Sequence, residues 1–233
     1  MGFKLSTPEE TAQAATRRHL LEAAGEVFAE VGFRAATVRE ICLRAGANIA
    51  AVNYHFGDKE RLYRAVLQGT FHTALEKYPA DFGLPPRATP EQRLRAFVLS
   101  FLLRIFSHGP ESQHGRLMVR EMIEPTGALD AIVEEDIRPM AAILTSIMDD
   151  LLGGNASPET KRLCAMSVVS QVLFYHHCRP VVTRMFPDMK FDEAAICQLT
   201  GHITRFSLAA IKEIAAEQKT GKRMKPLARA RSR

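Results

Sequence analysis

Very little in this sequence suits a fold stapled by sulfur or seated in a membrane. Its 233 residues include four cysteines, Cys42, Cys164, Cys178 and Cys197, set far apart with no C-x-x-C pair. Neither a disulfide framework nor a zinc ribbon is indicated, and reduced thiols are expected. No apolar run approaches the roughly 18 residues that a membrane span needs, and the opening MGFKLSTPEE contains no apolar stretch of the signal-peptide kind. A cytoplasmic protein with no membrane partner is the expectation. Alternating Val, Ile, Thr and aromatic residues between tight turns are also missing, which argues against strands. Basic charge is scarce outside one end. The net charge is +5, yet eight Lys/Arg against two Glu fall between Lys212 and Arg233, leaving residues 1–211 with 23 positive and 24 negative side chains. The overall charge is therefore poor support for nucleic-acid binding, because a basic terminus is often only a solvated end.

What the chain does have is 46% hydrophobic and 24% charged residues, the composition of a globular protein, and plainly written helix starts. Thr7-Pro8-Glu9-Glu10 and Thr89-Pro90-Glu91-Gln92 are capping boxes with proline at the first helical position, and Ser157-Pro158-Glu159 repeats the cap and proline. Thr37 with Glu40 is a further capping box, and Asn48, Asp58 and Asp192 are N-caps before helical runs. Apolar residues at helical spacing, such as Leu20, Leu21, Ala24, Val27, Phe28 and Val31, end at Gly32. The fold class expected is all-α. Helices are expected at about 38–45, 49–55, 59–78, 90–107, 111–123, 128–152, 158–178 and 192–217, with a kink or restart at Pro139.

The stretch TVREICLRAGANIAAVNYHFGDK, residues 37–59, has the dimensions of a helix-turn-helix, with Gly46 permitting the turn and Ala45 and Ala51 small where two helices would cross. Its second helix is too short to stand alone and carries polar and aromatic groups that a core helix would not need. This segment, from about Arg17 to Leu67, resembles the DNA-binding domain of the TetR family of bacterial transcriptional regulators. The resemblance rests on FAEVGF, Thr37, Ala45-Gly46, Tyr54-His55-Phe56 and Lys59 with Leu62. FYHHCRPVVTRMFPD, residues 174–188, resembles the subgroup with a CecR-type C-terminal domain.

The resemblance implies backbone-phosphate contacts by Thr37, Tyr54 and Lys59. Chemistry agrees, since hydroxyls, a helix N-terminus and an ammonium suit phosphate oxygens. Base reading would fall to Asn48, Ile49, Ala50 and Asn53, because Asn pairs with adenine and small apolar groups meet thymine methyls. That helix lacks Arg and Lys, so any guanine contact would come from Arg39, Arg44 or the tails. Plainer readings stand beside these: Thr37 and Asn48 as helix caps only, and His55 as a packed structural residue.

Residues Phe101, Met118, Met122, Phe174, His176, His177 and Arg179 could line an effector pocket, with Arg179 or Arg184 holding an anionic group; alternatively the Met and Phe residues are ordinary core, and His176 and His177 are a buried, hydrogen-bonded pair with Arg179 in an ion pair. Adjacent histidines point about 100° apart on a helix, and no His has another four residues away, so no metal site is expected. Ile196, Leu199, Ile203, Phe206 and Ala210 alternate at three and four and read as a dimer seam. With no nucleophile motif or phosphate loop, no enzyme and no cofactor are expected. The domains expected are 1–62 for helix-turn-helix, 63–218 for ligand binding and dimerisation, and 219–233 as a disordered basic tail. The whole reads as a homodimeric repressor, released from a palindromic double-stranded DNA operator by an unidentified small-molecule effector. The alternatives are an all-α enzyme or metalloprotein, or a DNA-binding protein with no ligand.

Overall fold

A computed structural model describes residues 8–106, 113–154 and 156–220. These form α1 (Pro8–Ala35), α2 (Val38–Ala45), α3 (Ile49–Phe56), α4 (Lys59–Lys77), α5 (Pro90–Phe106), α6 (Gln113–Ile123), α7 (Ala128–Ile132), α8 (Arg138–Leu152), α9 (Pro158–His177), α10 (Arg179–Met185) and α11 (Glu193–Thr220). No strand occurs among the described residues, and the all-α expectation holds. The start at Thr7 and the tail from 221 onward lie outside them.

The caps act as their residue types dictate. Thr37 Oγ1 accepts from the Glu40 N–H at 3.1 Å, Asn48 Oδ1 from Ala50 at 3.1 Å, Asp58 Oδ1 from Arg61 at 2.8 Å and Ser157 Oγ from Thr160 at 3.1 Å. Each satisfies an N–H that the first helical turn leaves without a partner. Thr89 and Gln92 close their box reciprocally, and Asp192 Oδ1 accepts from Ala195.

Three features depart from the sequence reading. Gly32 does not end α1. It breaks the helical dihedrals at φ 80°, ψ 170°, and a last turn continues to Ala35. The stretch 128–152 restarts beside Pro139, one of the two outcomes expected there, but it does so through a turn that the sequence did not announce. A π-helical turn, Val133–Ile137, precedes the proline, and the Arg138 N–H reaches back to the Val133 carbonyl. Proline has no N–H and its ring crowds the carbonyl four residues earlier, so the wider turn just before it accommodates the ring. The helix α10 was not expected from sequence. Pro180 stands in its first turn, where proline is tolerated.

The contacts divide the chain into two compact units, Met1–Phe82 with Ser100–Met140, and Gly83–Leu99 with Ala141–Arg233. The change at 82–83 falls in the Pro-rich 79–87 stretch, where Phe82 and Gly83 both take positive φ. In the first unit, Leu20, Ala24 and Phe28 of α1 pack with Ile41, Val52, Phe56, Leu62 and Leu67, and with Leu117 and Ile132 from α6 and α7. In the second, Val168 and Val172 of α9 and Ile196, Leu199 and Ile203 of α11 are buried, and Gln171 Nε2 donates to Ser207 Oγ at 3.0 Å between those two helices.

Candidate nucleic-acid interface

The turn between α2 and α3 is made by Gly46 in the left-handed region, φ 62°, ψ 31°, its N–H directed to the Cys42 and Leu43 carbonyls. A residue with a Cβ would be strained there. The eight residues of α3 are too few for an isolated helix. Burial of Val52 and Phe56, worth about 1.5–3 kcal/mol for each large apolar side chain, holds it against the core. Arg17 lies over the Phe56 ring, 5.2 Å from its centroid. With one face anchored, the other is free: Asn48, Ile49, Ala50 and Asn53 are exposed, and Tyr54 is 71% exposed. The four residues nominated for base contact and the Tyr54 hydroxyl therefore share a solvent-facing surface. His55 is half-buried, its ring edge-on to Tyr54 at 4.9 Å.

The nominated phosphate contacts differ in how free they are. Thr37 is exposed but its oxygen already caps α2. Lys59 is half-buried, and its Nζ donates to the Phe33 carbonyl at 2.9 Å and the Ala36 carbonyl at 3.0 Å. Two of its three N–H groups thus tie α4 to the end of α1, leaving one for a phosphate oxygen.

Arg44, named as a source of guanine contacts, is tied elsewhere. Its guanidinium forms a bidentate pair with Glu30 at 2.8 and 2.9 Å and donates to Glu40 at 2.8 Å. The hydrogen bond from Arg44 holds the Glu30 carboxyl below its ordinary range. Arg39, on the exposed side of α2, is the remaining one of the two.

Beside the helix-turn-helix, α6 grips the end of α1. Breaking the helix at Gly32 strands carbonyls of its last turns, and Arg120 answers Ala29 O at 3.1 Å and Glu30 O at 2.6 Å. The buried Tyr63 hydroxyl of α4 donates to Glu121 at 2.9 Å, and Thr126 donates to the same carboxylate through its N–H and hydroxyl. Burial first, then the Glu121 charge, pushes the Tyr63 phenol well above its usual range. Sequence reasoning missed this network. The only signal was a pair of charged residues, Arg120 and Glu121, inside the apolar-spaced run of α6.

Among the other nominated residues, Met118 packs against the core of the first unit, Phe101 is half-buried on α5 and Met122 is exposed. Phe174, His177 and Arg179 are exposed in the second unit, and Arg179 stacks 5.1 Å over Phe191. Arg184 is engaged by its own helix through the Pro180 carbonyl at 2.6 Å. Burial, then the charges of His177 and Arg179, hold His176 down at about 4. A cavity of about 320 Å³ lies among Val31, Phe33, Tyr63, Arg120 and Ile123, and a groove of about 930 Å³ among Tyr175, Phe186, Cys197, His202 and Arg205. Neither is lined by the seven residues nominated for an effector.

The expected dimer seam is divided. Ile196, Leu199 and Ile203 are buried within the chain's own fold, whereas Phe206 is 61% exposed and Ala210 is exposed. A three–four stripe looks the same in sequence whether its partner helix belongs to the same chain or another, and here α9 of the same chain packs on α11.

Comparison with known proteins agrees with this geometry. The family model "Bacterial regulatory proteins, tetR family" matches residues 20–66, and the "HTH-type transcriptional dual regulator CecR, C-terminal domain" matches 90–211. The regulator CecR of Shigella flexneri is 28% identical over 194 residues, 76% of this chain and 82% of that protein. The repressor NicS of Pseudomonas putida is 34% identical over 99 residues, 41% of this chain and 44% of its own. The fold matches a transcriptional regulator from Pseudomonas aeruginosa PAO1 with TM-score 0.65 at 18% identity, covering 94% and 96% of the two chains. It also matches Bacillus subtilis FadR, solved in complex with stearoyl-CoA, with TM-score 0.63 at 17% identity over 82% and 97%. These relatives are regulators rather than enzymes, and no helix among the described residues is long and apolar enough to cross a membrane. The chain is a DNA-binding transcriptional regulator and belongs to the TetR family, with a C-terminal domain of the CecR type.

Proposed function

We propose that the chain is a homodimeric repressor that binds a palindromic operator and leaves it when a small-molecule effector binds. The observation that carries the reading is the α3 surface. Val52 and Phe56 are buried, so Asn48, Ile49, Ala50, Asn53 and Tyr54 face solvent together on a helix narrow enough for the major groove. The four base-reading residues would touch base edges, while Thr37, Tyr54 and the third N–H of Lys59 would meet phosphate. Residues 1–62 would serve as the reading head and 63–218 as the effector and dimerisation part.

Exposed apolar side chains support pairing of two copies. Leu163, Met166 and Phe174 lie exposed on α9, and Phe206, a member of the expected seam, on α11; two such helices from each copy would make a four-helix interface. Two related heads would read inverted half-sites. An effector that displaced α6 would act on α1 through Arg120 and on α4 through the Tyr63–Glu121 bond, changing the separation of the heads and so coupling ligand to DNA affinity. The test is capture of genomic fragments by the purified protein, followed by footprinting. Protection of two symmetric half-sites is expected. A single asymmetric half-site would count against the dimeric repressor.

A further inference from the structure

The helix α5 buries an arginine. Arg104 is 4% exposed, inside the apolar run FLLRIF of residues 101–106. Its guanidinium lies 5.3 Å from the Phe101 centroid and 5.8 Å from that of Phe71 on α4. Of its five donors, Nε makes one hydrogen bond at the long distance of 3.4 Å, to the Ser100 carbonyl of its own helix. Among the described residues no carboxylate pairs with it, and burial pulls its affinity for the proton down to about 10. Other arginines of the first unit are answered: Arg44 by Glu30 and Glu40, Arg64 by Glu135, Arg120 by the α1 carbonyls. Two aromatic faces offset part of the desolvation of Arg104, but cation–π attraction is weaker than a charge-assisted hydrogen-bonded pair. A buried charge with its forked donors unused is expensive to keep.

We propose that Arg104 anchors a site for a small organic anion, whose carboxylate or equivalent head pairs with the guanidinium while its apolar body lies against Phe71 and Phe101. This inference deepens the effector-responsive reading and rests on it. The ligand would touch α4 at Phe71, twelve residues and about 18 Å along the same helix from Lys59, which ties α4 to α1. The surface arginines Arg179 and Arg184 lack the burial that gives an ion pair its strength.

The experiment measures thermal shifts of the full chain with straight-chain carboxylates from butanoate to decanoate and with benzoate, at millimolar concentration and constant ionic strength. The matching neutral amides serve as controls. At least one carboxylate is expected to raise the melting temperature by about 2–4 °C while its amide does not. Arg104→Met is expected to melt higher than the wild type without ligand, because the desolvated charge is gone, and to lose the response. Arg104→Lys keeps the charge without the fork and should keep the preference for carboxylate at about tenfold lower affinity. The proposal is overturned if no carboxylate stabilises the wild type, if amides do so equally, if Arg104→Lys binds as tightly as the wild type, or if Arg104→Met responds undiminished. Operator release is scored separately. Arg104-dependent anion binding that left operator affinity unchanged would keep the site and remove effector release. Release by a neutral compound, unaltered by Arg104→Met, would keep effector release and remove the site.

Discussion

Lys59 stands with its Nζ 4.5 Å above the Phe33 ring centroid and donates to that residue's own carbonyl at 2.9 Å. One side chain thus joins the first residue of α4 to the end of α1, where the break at Gly32 leaves carbonyls to be satisfied. Lys59→Met should destabilise the fold by about 1–3 kcal/mol, since it leaves the Phe33 and Ala36 carbonyls without their charged donor. Urea unfolding measures this. If the third N–H also meets phosphate, the same variant weakens all DNA sequences alike and lowers the salt slope by about one unit per subunit. Loss of stability with an unchanged salt slope would confine Lys59 to its structural tie.

The Asn53 side chain neither caps α3, as Asn48 does, nor packs in the core, and it lies exposed beside Tyr54. Asn53→Ala should leave the melting temperature in place and relax preference at particular base pairs by about 1–3 kcal/mol each. Binding to an operator variant panel checks it. A single factor applied to every sequence would show that Asn53 does not read bases.

Arg39 and Arg44 lie on one short helix with different work. Arg44→Ala should lower stability, because it removes the bidentate pair to Glu30 that holds α2 on α1, and its effect on DNA binding should vanish once the folded fraction is accounted for. Arg39→Ala should leave stability alone and weaken DNA binding. The reverse pattern would exchange their roles.

The caps, turn glycine and apolar spacing made the helix-turn-helix legible in sequence, because each is a local rule acting over three or four residues. Thr37, Asn48 and Asp58 cap the helices expected of them, and Gly46 takes the left-handed turn. What sequence could not supply was long-range pairing. Nothing local says that Arg44 would reach Glu30 or that Arg120 would reach Ala29 from another helix. The seam divided for a related reason: the periodicity of α11 reports that one face is covered but not by which chain, and Ile196, Leu199 and Ile203 are covered within this chain while Phe206 is not. Arg104 had a weak signal, a charge inside an apolar run, that gains meaning only when burial and the missing carboxylate are seen.

The divided seam gives two variants with opposite meanings. Ile203 is fully buried within the fold, so Ile203→Glu should unfold the protein or cost several kcal/mol by burying an unpaired charge. Phe206→Glu should leave the monomer folded and abolish the proposed dimer, read by sedimentation beside thermal unfolding. A folded, fully dimeric Phe206→Glu protein would place the contact between copies away from that part of α11.

The pH dependence of the second unit should pass through His176. Burial, reinforced by the charges of His177 and Arg179, holds this imidazole at about 4 in the folded chain, against about 6.5 when unfolded. A depressed value means that the folded state binds the proton less readily than the unfolded one. The stability contribution is therefore fully present above about pH 6.5 and is lost as the pH falls toward 4. His176→Gln removes the titrating group and should flatten the stability profile between those values while leaving the slope below pH 4 unchanged. Urea midpoints at half-unit intervals of pH would show this, and a mutant profile parallel to the wild type across the window would assign the acid sensitivity to other groups.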